Sequence, residues 1–144
     1  ENMLHVPVRT VVKPGCYFRS TGQHQNMATT RFYEVHLGPG EVRAITIDAA
    51  CIDADRPIPT SDHGFEGVAR VGDDLARFLT ASQGSDPMTV QAGVWAISDG
   101  MTAYAVQERL VSRGRDGVGR HAIQDRHVEE ARRILRRLGV ETHL

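Results

Sequence analysis

The sequence predicts an α+β fold, in which a C-terminal helical part packs on an N-terminal antiparallel β-sandwich or barrel-like sheet. Up to about residue 53, apolar and polar residues alternate between turns rich in proline and glycine, with no helical segment between the strands. From residue 73 onward the apolar residues instead recur at helical spacing. The length of 144 residues suits one domain, which we expect to be mainly β over residues 1–53, irregular over 54–72 and mainly α over 73–140.

The β-part contains predicted strands at residues 4–12, 16–19, 27–37 and 41–52. Most of them are rich in β-branched or aromatic residues, and turns or a polar loop separate them. The two strands that flank Gly38-Pro39-Gly40 are predicted to pair with each other, because proline and glycine favour a tight reversal of the chain. After residue 53, Pro57 and Pro59 oppose a regular helix.

The helical part contains predicted helices at residues 73–82, 86–99, 102–113 and 125–139. Asp73 and Asp125 are predicted N-caps, since a carboxylate accepts hydrogen bonds from the free N–H groups of a first turn. Asp86-Pro87 predicts the start of the second helix, and Gly139 predicts the end of the last one. A glycine-rich loop, GRDGVG at residues 114–119, is predicted before the last helix.

Composition narrows the function only slightly. The formal net charge of −1 gives no global argument for a nucleic-acid or membrane partner, and no apolar run approaches the ~20 residues of a membrane helix. The first residues, ENMLHVPV, lack a signal core, and a start at Glu1 favours a chain that follows a removed signal or an excised domain. Lys13 is the only lysine. A GC-rich genome explains this preference for arginine over lysine. Protection of a reactive electrophile from attack by the protein's own amines explains it as well.

The chemical hypothesis is a pair formed by Cys51 and Gln91. Cys51 ends a predicted strand, and Gln91 lies in the first turn of the second predicted helix. A thiolate held against a carboxamide carbon attacks it, expels ammonia and leaves an internal thioester, provided that water is excluded. Trp95 follows Gln91 by four residues, so that its ring is predicted to lie beside the Gln91 side chain and shield it. The product is an electrophile that an amine captures covalently.

The segments ACIDADRPIP and VQAGVWAISDG resemble the paired signatures of bacterial surface thioester domains, YCIDPG and TQxAIW. The resemblance implies that Cys51 is the thioester cysteine, Gln91 the thioester glutamine and Trp95 the motif tryptophan. It also implies a secreted or cell-surface adhesion module that bonds once to a protein or other amine-bearing ligand. Such a module uses no cofactor and is not a turnover enzyme. The sequence departs from the family motif at Ala50, Val90 and Gly93, where the family has an aromatic residue, threonine and alanine.

Each of these residues also has a structural explanation. Cys51 is equally interpreted as a buried thiol that packs as a small apolar side chain, or as one half of a Cys16–Cys51 disulfide. Gln91 is a polar residue that can bond to nearby backbone, and Trp95 suits a core position. These interpretations together describe a non-catalytic interaction or structural domain with the same scaffold.

A third function class rests on the arginines of the last helix. They are Arg132, Arg133, Arg136 and Arg137, preceded by Arg113, Arg115 and Arg120 around the loop. Such a stripe suits contacts with nucleic-acid phosphates. It equally complements the helix dipole and pairs with Glu129 and Glu130, which makes nucleic acid the less favoured partner. The seven histidines are scattered without the spacing of a metal site, and no metal is predicted.

Overall fold

The protein is described by a computed structural model that covers residues 1–113 and 118–144. Residues 114–117 of the predicted glycine-rich loop, among them Arg115, lie outside the described residues, as does the side chain of Arg113. The α+β class is confirmed, since antiparallel sheets are followed by helices that lie mostly in the C-terminal half. Within the described ranges no helix combines the length and the apolar character needed to cross a membrane.

The described strands are β1 (Val8–Val12), β2 (Cys16–Ser20), β3 (Asn26–Thr29), β4 (Tyr33–Leu37), β5 (Ala49–Ile52), β6 (Phe65–Arg70), β7 (Val111–Arg113) and β8 (Gly119–His121). The described helices are α1 (Asp73–Ala81), α2 (Pro87–Ser98), α3 (Ala103–Arg109) and α4 (Asp125–Leu138). The main sheet has the order β5-β3-β2-β6, and every neighbouring pair in it is antiparallel. The pairs β1–β4 and β7–β8 form separate two-stranded sheets. In this arrangement β5 is an edge strand of the main sheet.

The predicted pairing of the strands around Gly38-Pro39-Gly40 is wrong. β4 pairs with β1, whereas β5 pairs with β3, and residues 41–48 form no regular strand. The backbone groups just after the turn are bonded to Asn2 instead: Gly40 N donates to Asn2 O at 3.0 Å, and Asn2 N donates to Glu41 O at 2.9 Å. These bonds direct the chain toward the N-terminal segment instead of back along β4.

Two further strand predictions need correction. The predicted strand 27–37 divides into β3 and β4, because the chain leaves the main sheet after Thr30, whose N–H donates to Asp48 O at 3.0 Å. The segment predicted to be irregular contains β6, which pairs with β2. Gly67 adopts a φ of +64° where the register with β2 shifts, so β6 bends at an irregularity that masks its strand pattern in the sequence.

The helix boundaries differ from prediction mainly at α3, which ends at Arg109 and not at residue 113. Leu110 O accepts a hydrogen bond from Ala122 N at 2.8 Å, which commits the following residues to the β7–β8 pair. The predicted N-cap roles of Asp73 and Asp125 are also wrong. The caps are the preceding residues, Gly72 and Gln124, and the main-chain N–H of Gln124 donates to His127 Nδ1 at 3.0 Å.

Helix α2 is the centre of the fold. It packs against β5, α1, α3 and α4, and its residues from Thr89 to Ala96 are all buried. The predicted start is confirmed: the side chain of Asp86 accepts a hydrogen bond from Met88 N at 2.8 Å, and Pro87 opens the helix. Gly93 lets α1 approach closely, because the ring of Phe78 lies directly over its Cα. A methyl group at this position would overlap the Phe78 ring, so the contact requires a residue without a side chain.

Candidate functional site

The structure brings Cys51 and Gln91 together across 40 residues of chain. The main-chain N–H of Cys51 donates to Gln91 Oε1 at 2.9 Å, and Gln91 Nε2 donates to the main-chain oxygen of Cys51 at 2.8 Å. Gln91 is only 7% exposed, so both bonds are largely removed from water. The carboxamide of Gln91 therefore lies against the main chain of Cys51 in one defined orientation.

This arrangement follows from the position of Cys51 on an edge strand. Alternate residues of an antiparallel strand direct their N–H and C=O groups away from the neighbouring strand. In β5 these groups of Cys51 have no further strand to bind, and unpaired buried main-chain groups are costly. The Gln91 carboxamide supplies one acceptor and one donor, as a neighbouring strand would, and so closes the sheet edge toward α2.

The thiol of Cys51 lies on the same face of the main sheet as the side chain of Met27. The two residues are directly opposite each other in β5 and β3, and Cys51 Sγ lies 3.6 Å from Met27 Sδ. The side chain of Cys51 is half-buried. Burial raises the pKa of the Cys51 thiol, and the positive charge of Arg109 offsets only part of that rise. The thiol is therefore predominantly protonated at neutral pH.

The disulfide alternative is wrong for this fold, because Cys16 and Cys51 are both free thiols. Cys16 lies in β2 and Cys51 in β5, with β3 between them. Two strand spacings amount to about 9–10 Å, which exceeds the Cα–Cα separation of ~4–7 Å that a disulfide bridges. The sheet order therefore holds the two cysteines apart.

Trp95 lies in the core and also contacts a polar loop. The residue is fully buried, and its Nε1 donates to Gln25 Oε1 at 3.3 Å. Gln25, equally buried, donates from Nε2 to Arg56 O at 2.9 Å and from its main-chain N to Pro57 O at 3.0 Å. Trp95 thus supports the chain that follows Cys51, and its role as a shield for Gln91 stays a prediction.

Several side chains fix the turn that follows Cys51, residues 53–56. Asp99, just after α2, accepts a hydrogen bond from Ala54 N at 2.8 Å through Oδ1. Arg109 at the end of α3 donates to Ala54 O at 2.5 Å and to Arg56 O at 2.6 Å. Asp53 adopts a φ of +67°, which is uncommon for a residue other than glycine, and its carboxylate accepts from Asn26 Nδ2. These contacts hold the end of β5 in place beside α2.

Sequence reasoning missed most of this support. Gln25 appeared as one residue of a polar loop, and Arg109 as part of a longer helix. Neither carries a local signal, since both act on residues that are at least 30 positions away in the sequence. Asp99 was identified only as the end of the second helix, which it is, while its contact with Ala54 depends on the tertiary fold.

A cleft of about 150 Å³ opens beside Gln91. Its walls are the end of β3, the start of β5, the α1–α2 connection and the first turns of α2. Arg31 and Asp48 line the cleft and form an ion pair of 3.4 Å, and Gln83 Nε2 bridges to Thr30 O at 2.5 Å. Gln91 is therefore buried within the fold yet borders a space that reaches the surface.

Two other kinds of site remain from the sequence, a metal site and a nucleic-acid surface. Among residues 1–113 and 118–144, no group of three or more His, Cys, Asp or Glu side chains is arranged to hold a metal ion. On α4, Arg133, Arg136 and Arg137 are exposed, whereas Arg132 pairs with Glu129. The arginine stripe is thus a solvent-facing surface that is partly neutralised by its own helix.

Comparison with models of known protein families, with curated proteins and with solved structures gave no match to this chain.

Proposed function

We propose that this protein is an attachment module that forms an internal thioester between Cys51 Sγ and Gln91 Cδ. The observation that carries the proposal is the pair of hydrogen bonds, 2.9 and 2.8 Å long, between the Gln91 carboxamide and the Cys51 main chain. They hold the carbonyl carbon next to the residue whose thiol would attack it. Such pre-positioning replaces much of the entropic cost of bringing the two groups together.

The proposed reaction balances without an oxidant or a cofactor. Cys51 Sγ attacks Gln91 Cδ, a C–S bond forms, and the C–N bond of the carboxamide breaks. The thiol proton leaves with the nitrogen, which departs as ammonia. The Cys51 N–H that binds Gln91 Oε1 would stabilise the negative charge that develops on this oxygen in the tetrahedral intermediate.

The surroundings support a product that persists. Gln91 is 7% exposed, and its neighbours along α2 are buried, which restricts the approach of water to the side of the cleft. The raised pKa of the Cys51 thiol makes its thiolate a poor leaving group, which also slows the loss of the thioester. The presence of a single lysine, Lys13, limits capture by the protein's own amines.

The biological setting of this proposal follows from the resemblance to bacterial surface thioester domains. A secreted or cell-surface protein would carry the thioester until an amine on a partner protein or surface captures it. Each molecule would then bond once, so that the module acts as a covalent anchor and not as a turnover enzyme.

Intact mass spectrometry of the untreated protein tests the proposal. We expect the wild-type mass to be lower than the sequence mass by one ammonia, and incubation with methylamine to add one methylamine. Cys51→Ala and Gln91→Ala should each show their full sequence mass, whereas Cys16→Ala, the matched control, should still lack one ammonia. Full mass for the wild-type protein, with two thiols that react with an alkylating agent, would refute the proposal.

A non-catalytic interaction domain is the second candidate, and one observation favours it. Both polar atoms of the Gln91 carboxamide are satisfied by the Cys51 main chain, while Cys51 Sγ lies against Met27 Sδ. In this case Gln91 only closes the edge of the sheet. The same mass measurement decides between the two candidates, because a structural glutamine retains its nitrogen.

A further inference from the structure

The Cys51 carbonyl oxygen loses a hydrogen bond when the proposed thioester forms. In the structure this oxygen accepts a hydrogen bond from Gln91 Nε2 at 2.8 Å. That nitrogen is the atom that would depart as ammonia, whereas Oε1, bound to the Cys51 N–H, would remain. The thioester form therefore keeps one of the two hydrogen bonds and leaves the Cys51 carbonyl oxygen without its donor.

Capture of an amine is the chemical reverse of ammonia release, with a different substituent on the nitrogen. By microscopic reversibility, the incoming nitrogen takes the position that the departing nitrogen left. This position is within hydrogen-bonding distance of the Cys51 carbonyl oxygen. An attacking nitrogen that still carries a hydrogen can satisfy this oxygen at the moment when the new C–N bond forms.

The cleft beside Gln91 offers a route to this position. Ala49 and Ala50 of β5 and Met88 and Gln91 of α2 line it, and its volume is about 150 Å³. A cavity of ~150 Å³ holds a molecule about the size of benzene. The cleft therefore has room for an alkylamine of about five or six non-hydrogen atoms.

Resting on the function proposed above, we infer that this cleft is the amine-entry site and that the Cys51 carbonyl oxygen is the acceptor that favours primary over secondary amines. A primary amine that attacks Gln91 Cδ carries two hydrogens on its nitrogen. One binds the Cys51 oxygen, and the other is transferred to Cys51 Sγ, so the products are an amide and a free thiol. A secondary amine has only one hydrogen for these two tasks.

The test measures the rates at which amines add to the untreated wild-type protein, followed by intact mass. The amines are methylamine, n-butylamine and dimethylamine, compared at equal free-base concentration. Each rate is divided by the rate at which the same amine reacts with a small alkyl thioester in the same buffer. This ratio removes differences in the intrinsic reactivity of the amines. We expect dimethylamine to fall about five- to tenfold below methylamine, the rate equivalent of one hydrogen bond.

Two variants separate the cleft from general effects. Met88→Ala widens the cleft and should raise the rate of n-butylamine relative to that of methylamine. Met101→Ala removes the same atoms from a half-buried methionine outside the cleft, and should leave the ratio unchanged. Equal normalised rates for methylamine and dimethylamine, or an equal response of both variants, would overturn the inference while the proposed thioester stands. A wild-type protein that lacks no ammonia would refute both.

Discussion

Replacement of Gly93 by alanine tests the packing that places α2 at the centre of the fold. A Cβ built on Gly93 would meet Phe78 Cζ at 1.9 Å and two further ring carbons at 2.5 and 2.6 Å. Ordinary contacts of a Cβ begin at about 3.4 Å, so the ring would have to withdraw by about 1.5 Å. Phe78 is fully buried, so its ring can withdraw only by displacing its neighbours in the core.

The expected cost is large for a single methyl group. Overpacking of a core typically costs about 1–3 kcal/mol, and this overlap belongs at the upper end. Alanine recovers ~1 kcal/mol through its higher helix propensity. We therefore expect Gly93→Ala to lower the free energy of unfolding by about 2 kcal/mol, which lowers the urea midpoint by about 1 M.

Urea unfolding followed by tryptophan fluorescence measures this change, since Trp95 is fully buried. Gly72→Ala is the control, because a Cβ at Gly72 meets nothing within 4 Å. Adding Phe78→Leu to Gly93→Ala should recover part of the loss, so that the two changes are not additive. Equal or greater stability of Gly93→Ala would show that the close contact between α1 and α2 is not as described.

Three further predictions concern the site. Gln91→Ala leaves the N–H and C=O of Cys51 without partners, and we expect it to be about 2–4 kcal/mol less stable in urea unfolding than Cys51→Ala, which keeps the carboxamide and forms no thioester, since each unsatisfied group costs ~1–3 kcal/mol. Equal stability of the two variants would contradict the edge-closing role. Trp95→Phe leaves Gln25 Oε1 without its donor, and should lower the free energy of unfolding by at least ~1 kcal/mol more than the loss of buried apolar area alone. A double-mutant cycle with Gln25→Ala measures this contribution. Burial raises the pKa of any free Cys51 thiol in the folded state, so this group's contribution to stability is present below the thiol's unfolded pKa and declines as the pH rises through and above it. Alkylation of Cys51 in Gln91→Ala should accordingly increase only at a pH above the ordinary thiol range, and a midpoint below that range would contradict the burial argument.

The pairing of Cys51 with Gln91 is the part of the site that the sequence predicted best. Asp86-Pro87 fixes the start of α2, which places Gln91 in an early turn, and Cys51 does end up in a short strand. Local patterns were sufficient here because each residue is positioned by its own element. The atoms that meet were not predictable, since the carboxamide contacts the Cys51 main chain through the free edge of the sheet.

Predictions that depended on long-range pairing were less successful. Residues 41–48 alternate as a strand does, yet Asn2 holds the preceding turn and β1 occupies the edge of β4. The bend at Gly67 concealed β6 for a different reason, because a positive φ interrupts the alternation that identifies a strand. A long-range contact decided the strand pairing in the first case, and a local bend of the backbone hid the strand in the second. Neither feature has a signature in the neighbouring residues.

Peptide mapping under mildly acidic conditions tests the central claim most directly. The protein is digested without reduction or alkylation, and the peptides that contain Cys51 and Gln91 are sought by mass. A thioester between Cys51 and Gln91 gives one joined species, whose mass is the sum of the two peptides less one ammonia and which methylamine separates. Recovery of two separate peptides, with an alkylatable Cys51 and an intact Gln91, would contradict it.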